Sequence, residues 1–265
     1  MKKLLIYSIV LLFATTLQAQ DFALKQLDNS PRHQEWAQVK SGNRTIQCFI
    51  AYPEKSEKTP VIIVIHENRG LTDWVRSFAD QLAEAGYIAI APDLLSDFSP
   101  EKTRTSDFAN SDEARNAIYQ LKPEQVTADL NAVQAFAAKI PASNGKTGVI
   151  GFCWGGGQSF RFATNNDQIK VALVFYGSAP DKPEEIQKIN VPVYGFYGEK
   201  DERINAGIPS TAELMKKEGK QYDYKIYAGA GHAYMRMGDD PAAPAELKKA
   251  RDDSWERIKA ILAKM

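Results

Sequence analysis

A cysteine flanked by glycines lies in the middle of the chain, in the sequence Gly-Phe-Cys-Trp-Gly at residues 151–155. Residues 146–150 before it are typical of a short strand, and residues 156–165 after it are typical of a helix. A nucleophile at such a strand–turn–helix junction needs small neighbours, and glycine lacks the Cβ that would clash in a tight turn. Backbone N–H groups at the start of the helix favour a thiolate and a developing oxyanion. The pattern predicts nucleophilic catalysis at Cys153; the alternative is a small buried apolar residue.

A candidate base and a candidate acid follow Cys153 along the chain. Asp201 comes just after a predicted strand at 193–196, and His232 comes just after another at 222–227. Nucleophile, acid and histidine in this chain order are typical of one class of hydrolytic triad. We therefore expect Asp201 to orient the imidazole of His232, which would activate the thiol of Cys153.

Competing assignments exist for both partners. The other two histidines fit poorly, because His33 precedes the predicted core and His66 ends a strand upstream of the nucleophile. Glu199 and Glu202 flank the acid, and the alternative interpretation of this segment is a solvated charge cluster. Aspartate is the better candidate, because its short, stiff side chain can fix an imidazole in one orientation.

The segment His-Glu-Asn-Arg-Gly-Leu at residues 66–71 follows a second predicted strand. A loop at this place donates one oxyanion-binding N–H, and the residue after the nucleophile donates the other. These donors are assigned to the backbones of Asn68 and Trp154. Glu67 in this loop would be an unusual carboxylate beside a thiol nucleophile; the alternative is a solvated loop charge.

The N-terminus has the pattern of an export signal. Lys2 and Lys3 form a basic start, residues 4–13 are apolar, and residues 16–19 end in alanine. This pattern predicts a signal peptide at 1–19, cleavage after Ala19, and a secreted or periplasmic protein. An uncleaved membrane anchor is the alternative, although the apolar run is short for a membrane span. Residues 20–265 are then expected to form a single domain, with no membrane attachment after removal of the signal.

Charge and cysteine content exclude several classes of protein. Loss of Lys2 and Lys3 leaves 31 basic and 33 acidic residues, so nothing indicates the basic face that nucleic-acid binding requires. Only two cysteines occur in the whole chain. Disulfide scaffolds are usually cysteine-dense, so we expect Cys48 to be a buried strand residue and Cys153 to be a free thiol. A bond between the two is the alternative.

Short apolar runs alternate with amphipathic segments along the chain. Such alternation predicts an α/β fold with a mostly parallel sheet covered by helices on both faces, and the order of the candidate residues indicates an α/β-hydrolase. An irregular excursion is expected at 96–110. The predicted strands are 45–52, 61–66, 87–91, 146–150, 171–176, 193–196 and 222–227, and the main predicted helices are 74–85, 123–140, 156–165 and 245–262.

The chain resembles the dienelactone hydrolases, or carboxymethylenebutenolidases, from about residue 45 onward. The resemblance rests on Gly-x-Cys-x-Gly-Gly at 151–156, His-Glu-x-x-Gly at 66–70 and Ala-Gly followed by Pro-Asp-Leu within 85–94. It implies a triad of Cys153, His232 and Asp201, and a Glu67 that contacts the nucleophile and assists its activation when substrate binds.

The resemblance also implies how a substrate carboxylate would be held. The arginine that the family places four residues after the histidine is matched by Arg236, and Tyr234 in the same segment is expected to contact substrate. A second family arginine is replaced by Asp97, which would repel an acidic substrate if it faced the pocket. Because of this difference we expect weak activity on the substrate that names the family, unless Arg104 or Arg115 supplies the missing charge.

The residues together predict an exported hydrolase that cleaves a small-molecule ester or lactone through an acyl-cysteine, without a metal or other cofactor and as a monomer. The first alternative is a broad-specificity exported carboxylesterase or thioesterase that uses the same residues. A non-catalytic binding protein of the same fold is a further alternative, and a metal site at His66, Glu67 and His232 is a third. That last set lacks the ligand pairs of a zinc centre.

Overall fold

The computed structural model describes residues 15–265, and the side chains of residues 22–265. Most of the predicted signal peptide, residues 1–19, lies outside this part of the chain. The first described helix, α1, spans Thr15–Asp28 and continues past the predicted cleavage point. Its residues Ala23 and Leu27, which follow that point, are buried in the core. None of the helices in the described residues is sufficiently long and apolar to cross a membrane.

Eight strands form one mostly parallel sheet in the order β1-β2-β4-β3-β5-β6-β7-β8. The β1–β2 and β2–β4 pairs are antiparallel, and every other neighbouring pair is parallel. The predicted α/β-hydrolase fold is confirmed. The strands are β1 Gln34–Ser41, β2 Arg44–Ala51, β3 Thr59–Ile65, β4 Ile88–Pro92, β5 Ser143–Phe152, β6 Ile169–Phe175, β7 Val193–Gly198 and β8 Tyr222–Tyr227.

Helices cover both faces of the sheet, as strands buried on both sides require. The central strand β3 shows this arrangement, because Ile62 and Val64 pack in one core cluster while Val61, Ile63 and Ile65 pack in the other. After α1, the helices are α2 Asp73–Glu84, α3 Ser111–Ile118, α4 Pro123–Ala137, α5 Trp154–Ala163, α6 Pro183–Ile186, α7 Glu202–Asn205, α8 Ile208–Lys217, α9 Tyr234–Gly238 and α10 Ala245–Leu262. Helices α1, α2, α9 and α10 contribute to the first cluster, and α4, α5, α6 and α8 to the second.

Strand β1 and helices α1 and α3 were absent from the predicted set, and no bounds were predicted for α6, α7, α8 and α9. Strand β1 is a half-exposed edge strand with a largely polar sequence, so its apolar pattern is weak, and it precedes the strand predicted as the first. Helix α3 follows the expected excursion at 96–110, where Thr105–Asp107 also forms a single 3₁₀ turn. Helix α4 ends at Ala137, three residues before the predicted end.

Candidate active site

The candidate residues gather at the carboxyl edge of the parallel strands. Glu67 follows β3, Cys153 follows β5, Asp201 follows β7 and His232 follows β8. Because β3, β5, β6, β7 and β8 are neighbours in the sheet, these loops meet over one edge, which is where open α/β sheets bind ligands. Cys153 and His232 line the same cleft of about 230 Å³.

Cys153 has the strained backbone of a nucleophile elbow. Its φ is 56° and its ψ is −116°, a conformation that non-glycine residues rarely adopt. The turn is held by the Cys153 N–H, which donates to the oxygen of Phe175 at 3.0 Å. A Cβ on Gly151 would lie 2.0 Å from the oxygen of Gly155, and a Cβ on Gly155 would lie 2.3 Å from the oxygen of His66. Glycine is therefore required on both sides of the cysteine.

His232 and Asp201 form a close pair. His232 Nδ1 and Asp201 Oδ2 are 2.5 Å apart, and the carboxylate is almost fully buried while the imidazole is about one-third exposed. This contact places the imidazole proton on Nδ1 and leaves Nε2 as the basic nitrogen. The structure thus brings together the histidine and the aspartate that chain order had selected.

The loops that carry this pair are bonded to each other. Lys200 N donates to the oxygen of Ala230 at 2.8 Å, and Gly229 N donates to Glu199 Oε2 at 2.9 Å. Glu199, two residues before Asp201, thus accepts a hydrogen bond that links the two loops. The segment that contains Asp201 is therefore not only a solvated charge cluster.

The resting thiol of Cys153 has a raised pKa, contrary to the expected thiolate-favouring environment. Burial is the main cause, and the negative charge of Glu67 adds to it. The backbone N–H groups of Trp154 and Asn68 and the charge of Arg203 act in the opposite direction but do not outweigh burial. The two predicted oxyanion donors therefore both lie near the sulfur, beside a thiol that is protonated at rest.

Glu67 forms an ion pair with Arg236. Arg236 Nε lies 2.8 Å from Glu67 Oε2, and the carboxylate is largely buried. The charge of Glu67 is the main cause of a raised pKa of the Arg236 guanidinium. Arg236 thus lies at the site, but its charge is already compensated by Glu67. The alternative of a solvated Glu67 charge does not fit this geometry.

Two expected specificity residues lie elsewhere. Tyr234 is completely buried, and its hydroxyl hydrogen-bonds the Ser254 hydroxyl at 2.7 Å, so it is a core residue rather than a substrate contact. Asp97 is exposed, and its carboxylate accepts from the backbone N–H of Thr45 at 2.7 Å, at the start of β2. The Asp97 carboxylate therefore does not face the cleft, so the condition on which the predicted repulsion of acidic substrates depended is not met.

The two arginines suggested as replacements do not line the cleft. Arg104 pairs with Asp107 at 3.7 Å, and Arg115 pairs with Asp112 at 3.6 Å. Both side chains are about half exposed. Neither is placed to hold a substrate beside Cys153.

The third histidine, His66, is packed in the interior and does not line the cleft. It is completely buried, its Nδ1 contacts the oxygen of Glu67 at 2.7 Å, and its Nε2 accepts from the Leu94 N–H at 3.2 Å. Both ring nitrogens are therefore occupied, so the metal site of His66, Glu67 and His232 is not formed. Within residues 22–265, no group of three or more His, Cys, Asp or Glu side chains is arranged to hold a metal ion.

Residues that the sequence interpretation did not select also line the cleft. Arg203 lies two positions after Asp201, and Tyr176 lies at the end of β6 with its ring 5.0 Å from that of His232. Both residues follow strands, β6 and β7, that end at the edge where the candidate residues gather. Their positions in the sequence could therefore have identified them as residues of the site. The other lining residues are Tyr119, Gly157, Gln158, Ser178 and Ile204.

The two cysteines are separate. Cys48 is completely buried in β2, where its thiol contacts the oxygen of Ile46, and Cys153 is partly exposed in the cleft. Both are free thiols, as expected.

Comparison with known proteins identifies the family of this chain. Residues 46–265 match the model of the "Dienelactone hydrolase family". A protein of Saccharolobus solfataricus named "Putative carboxymethylenebutenolidase" is 30% identical over 85% of this chain and 96% of its own length. A protein of the same name from Escherichia coli is 27% identical, covering 83% of both chains.

A solved structure that carries the family name shares this fold. A Klebsiella pneumoniae protein titled "Putative Dienelactone Hydrolase" superposes with a TM-score of 0.77 over 88% of this chain and 99% of its own, at 24% identity. The family match covers more than half of the chain and contains every candidate catalytic residue. The chain therefore belongs to the dienelactone hydrolase family and is a hydrolase of the α/β-hydrolase fold.

Proposed function

We propose that this protein hydrolyses a small carboxylic ester or lactone through an acyl-cysteine intermediate on Cys153. The observation that carries the proposal is the 2.5 Å contact between His232 and Asp201, made at the cleft that His232 shares with the strained Cys153. The relatives named carboxymethylenebutenolidase support a carboxylic ester or lactone as the substrate class. Family membership argues against a purely binding role.

The first half of the reaction forms the acyl-enzyme. His232 Nε2 takes the thiol proton as the sulfur attacks the carbonyl carbon, and the N–H groups of Asn68 and Trp154 stabilise the oxyanion that forms. Collapse of this intermediate breaks the bond to the leaving alkoxide, which receives the proton from His232. The products of this step are a thioester at Cys153 and the free alcohol, or the opened ring of a lactone.

The second half returns the free enzyme. His232 removes a proton from a water molecule that attacks the thioester, and the same two N–H groups stabilise the second oxyanion. The carbon–sulfur bond breaks, the thiolate regains a proton from His232, and the carboxylic acid leaves. Asp201 keeps the imidazole in one tautomer throughout.

Activation of the nucleophile would involve Glu67. At rest the Cys153 thiol has a raised pKa, and Glu67 is bonded to Arg236. Displacement of Arg236 by a bound substrate group would release the Glu67 carboxylate toward the thiol, where it would take up the thiol proton and pass it to His232 Nε2. This step extends the role that the family resemblance implies, and it makes reactivity depend on bound substrate.

A broad-specificity carboxylesterase or thioesterase is the second candidate. It is favoured by the position of Asp97, which replaces the second arginine of the family clamp and points to β2 instead of the cleft. The clamp in this chain is therefore limited to Arg236, whose charge Glu67 compensates. We expect weak activity on dienelactone and better rates on esters of other shapes.

We further propose that the protein is exported after removal of residues 1–19. The basic start, apolar run and small-residue end support this proposal, as does the fact that the buried residues of α1, Ala23 and Leu27, belong to the retained part. Sequencing the N-terminus of protein recovered from a secreting host should give Gln20 or Asp21. An intact Met1 on membrane-bound material would indicate an anchor.

The catalytic proposal is tested by capturing the intermediate. Purified mature protein is mixed with a p-nitrophenyl ester, quenched in acid and measured by intact mass and peptide mapping. We expect one acyl group on the peptide that contains Cys153, and none in Cys153→Ala. A panel of esters, lactones and thioesters then ranks the substrates. Hydrolysis by Cys153→Ala at the wild-type rate would show that the nucleophile is another group.

A further inference from the structure

Strand β8 is an open lateral edge of the sheet, because it pairs only with β7. The oxygens of Gln221 and Tyr227 accept from N–H groups of the β7 segment, so odd-numbered residues direct their backbone groups toward β7. This direction alternates along a strand. Among the described residues, no hydrogen-bond partner is present for the outward-pointing N–H and C=O groups, which belong to Tyr222, Tyr224 and Ile226.

The side chains of this strand are also exposed. Four consecutive residues, 223–226, lie at the surface, and Tyr224 and Ile226 keep 39% and 45% of their area in solvent. Free backbone groups beside exposed apolar side chains are the features by which an edge strand pairs with another chain. We call this surface, residues 222–227, the β8 edge.

The sequence of β8, Tyr-Asp-Tyr-Lys-Ile-Tyr, is complementary to itself in one antiparallel register. With a two-fold axis at Tyr224, Asp223 lies opposite Lys225 of a second copy, and Tyr222 lies opposite its Ile226. The outward residues then form the hydrogen-bonded pairs, so the two copies satisfy each other's free N–H and C=O groups. The two charged residues fall at non-hydrogen-bonded positions, where opposite Cα atoms are about 4.5 Å apart and side chains are closest.

Both charges are available for such a contact. Among the described residues, no carboxylate lies within ion-pair distance of Lys225, whose Nζ lies 4.9 Å from the centre of the Tyr227 ring. Asp223 contacts Arg257 at 3.0 Å through Oδ2 alone, and its side chain is 65% exposed. A lysine on an edge strand normally opposes pairing. In this register, however, the second copy places a carboxylate opposite it.

The other lateral edge of the sheet, β1, lacks this property. Its only charged residues are Glu35 and Lys40, which are five positions apart. Opposite residues of a symmetric antiparallel pair differ by an even number of positions, because the axis passes through a residue. No symmetric register can therefore bring Glu35 opposite Lys40.

We propose that the β8 edge is the interface of a two-fold symmetric homodimer, in which the two β8 strands pair antiparallel about Tyr224 and Asp223 of each copy pairs with Lys225 of the other. The partner is a second copy of this chain, because a two-fold interface requires a surface that complements itself, and β8 does so in backbone, apolar and charged groups. This proposal differs from the monomer expected from the sequence. It does not depend on the chemistry proposed for Cys153.

Charge reversal tests the interface, with sedimentation velocity of the mature protein over a concentration series as the measurement. Wild type should form a dimer. Asp223→Lys and Lys225→Asp each place like charges opposite one another twice in the dimer, so each should raise the Kd about tenfold or more. An equimolar mixture of the two variants restores opposite charges at both places and should form a heterodimer of nearly wild-type strength. Lys40→Asp, the matching change on β1, should leave assembly unchanged.

Two changes at the axis test the register. Tyr224→Pro removes an outward N–H without breaking the ladder to β7, so it should give a folded monomer. Tyr224→Cys places two Cα atoms about 5.5 Å apart across the axis, within the range of a disulfide, whereas Ile226→Cys places them about 14 Å apart. In a Cys153→Ser background, mild oxidation should therefore cross-link the first variant and not the second.

Thermal melting of every variant separates loss of assembly from loss of folding. A wild type that stays monomeric throughout the series would overturn the interface. A dimer that survives Tyr224→Pro and both charge reversals would use another surface, which also overturns it. Folded charge variants that fail to associate when mixed, or a cross-link in Ile226→Cys and none in Tyr224→Cys, would contradict pairing about Tyr224.

Discussion

The imidazole of His66 holds the peptide bond whose other end is the N–H of Asn68, a candidate oxyanion donor. His66 Nδ1 lies 2.7 Å from the oxygen of Glu67, and its Nε2 accepts from Leu94, so the proton is on Nδ1 and is donated to Glu67. In a trans peptide the C=O and N–H point in opposite directions. Fixing the Glu67 oxygen on one side therefore fixes the Asn68 N–H on the other, near the Cys153 sulfur.

The same imidazole also contacts the second donor. Its ring stacks on that of Trp154, with centroids 5.5 Å apart and planes 15° from parallel. His66 is completely buried, and burial lowers its pKa, so the neutral tautomer persists at neutral pH. One buried side chain thus fixes the peptide group of one candidate oxyanion donor and packs against the side chain of the residue that carries the other.

Replacing His66 should lower kcat more than it raises KM. His66→Leu removes the donor to Glu67, and we expect a fall in kcat of about tenfold to a hundredfold, less than the about 10²–10³ for loss of an oxyanion donor itself. His66→Asn keeps an N–H near the position of Nδ1 and should recover part of the loss. Stopped-flow acylation and thermal melting of both variants are the measurements. Equal kcat values for the Leu and Asn variants would mean that the side chain only fills space.

The pH dependence of Cys153 alkylation should move in opposite directions in two variants. In wild type the iodoacetamide rate should rise with pH around a midpoint above the usual range of a cysteine pKa, about 8.5, because the thiol is buried beside Glu67. Glu67→Gln removes the negative charge and should shift the midpoint to lower pH. Arg236→Gln leaves that charge uncompensated and should shift the midpoint to higher pH. Peptide mapping restricts the measurement to Cys153, and shifts in the same direction would contradict the arrangement.

Loss of the base should cost more activity than loss of the acid. His232→Ala removes the group that moves the protons, whereas Asp201→Asn chiefly disturbs its tautomer and orientation. We expect both falls in kcat to be large, about a thousandfold or more for His232→Ala, and the double variant to be little worse than the worse single one. His33→Ala, an exposed histidine outside the cleft, is the control. Near-normal turnover in His232→Ala would require a different base.

Two glycines of the elbow helix should differ in their tolerance of alanine. A Cβ on Gly155 would lie 2.3 Å from the His66 oxygen, whereas a Cβ on Gly157 would meet nothing closer than the Ser178 oxygen at 3.5 Å. Gly155→Ala should lower the free energy of unfolding by about 2 kcal/mol or more, because backbone atoms must move. Gly157→Ala should be neutral or stabilising by up to about 1 kcal/mol, because alanine favours the helix. Urea unfolding of the pair measures the difference, and an equal cost at both positions would refute the packing argument.

Local patterns were enough to predict the class of fold and the order of the candidate residues. The alternation of strands and helices follows from apolar periodicity. All seven predicted strands overlap observed strands, and the prediction for β8 matches at both ends. Strand β1 was beyond such reasoning, because an edge strand buries too little surface to need an apolar sequence. The elbow glycines, His232 and Asp201 were recognisable because their spacing relative to strand ends is local.

Only the tertiary structure decided which charged side chains lie near Cys153. Chain order could not show that Arg236 is bonded to Glu67, that Asp97 points to Thr45, or that Tyr234 is buried against Ser254. Nor could it show that Arg203 lines the same cleft as Cys153. Side-chain direction and burial depend on segments far apart in sequence, and burial sets the pKa of Cys153. The sequence by itself determined the chemical groups and the sheet edge that carries them, whereas packing between distant loops determined their protonation and their partners.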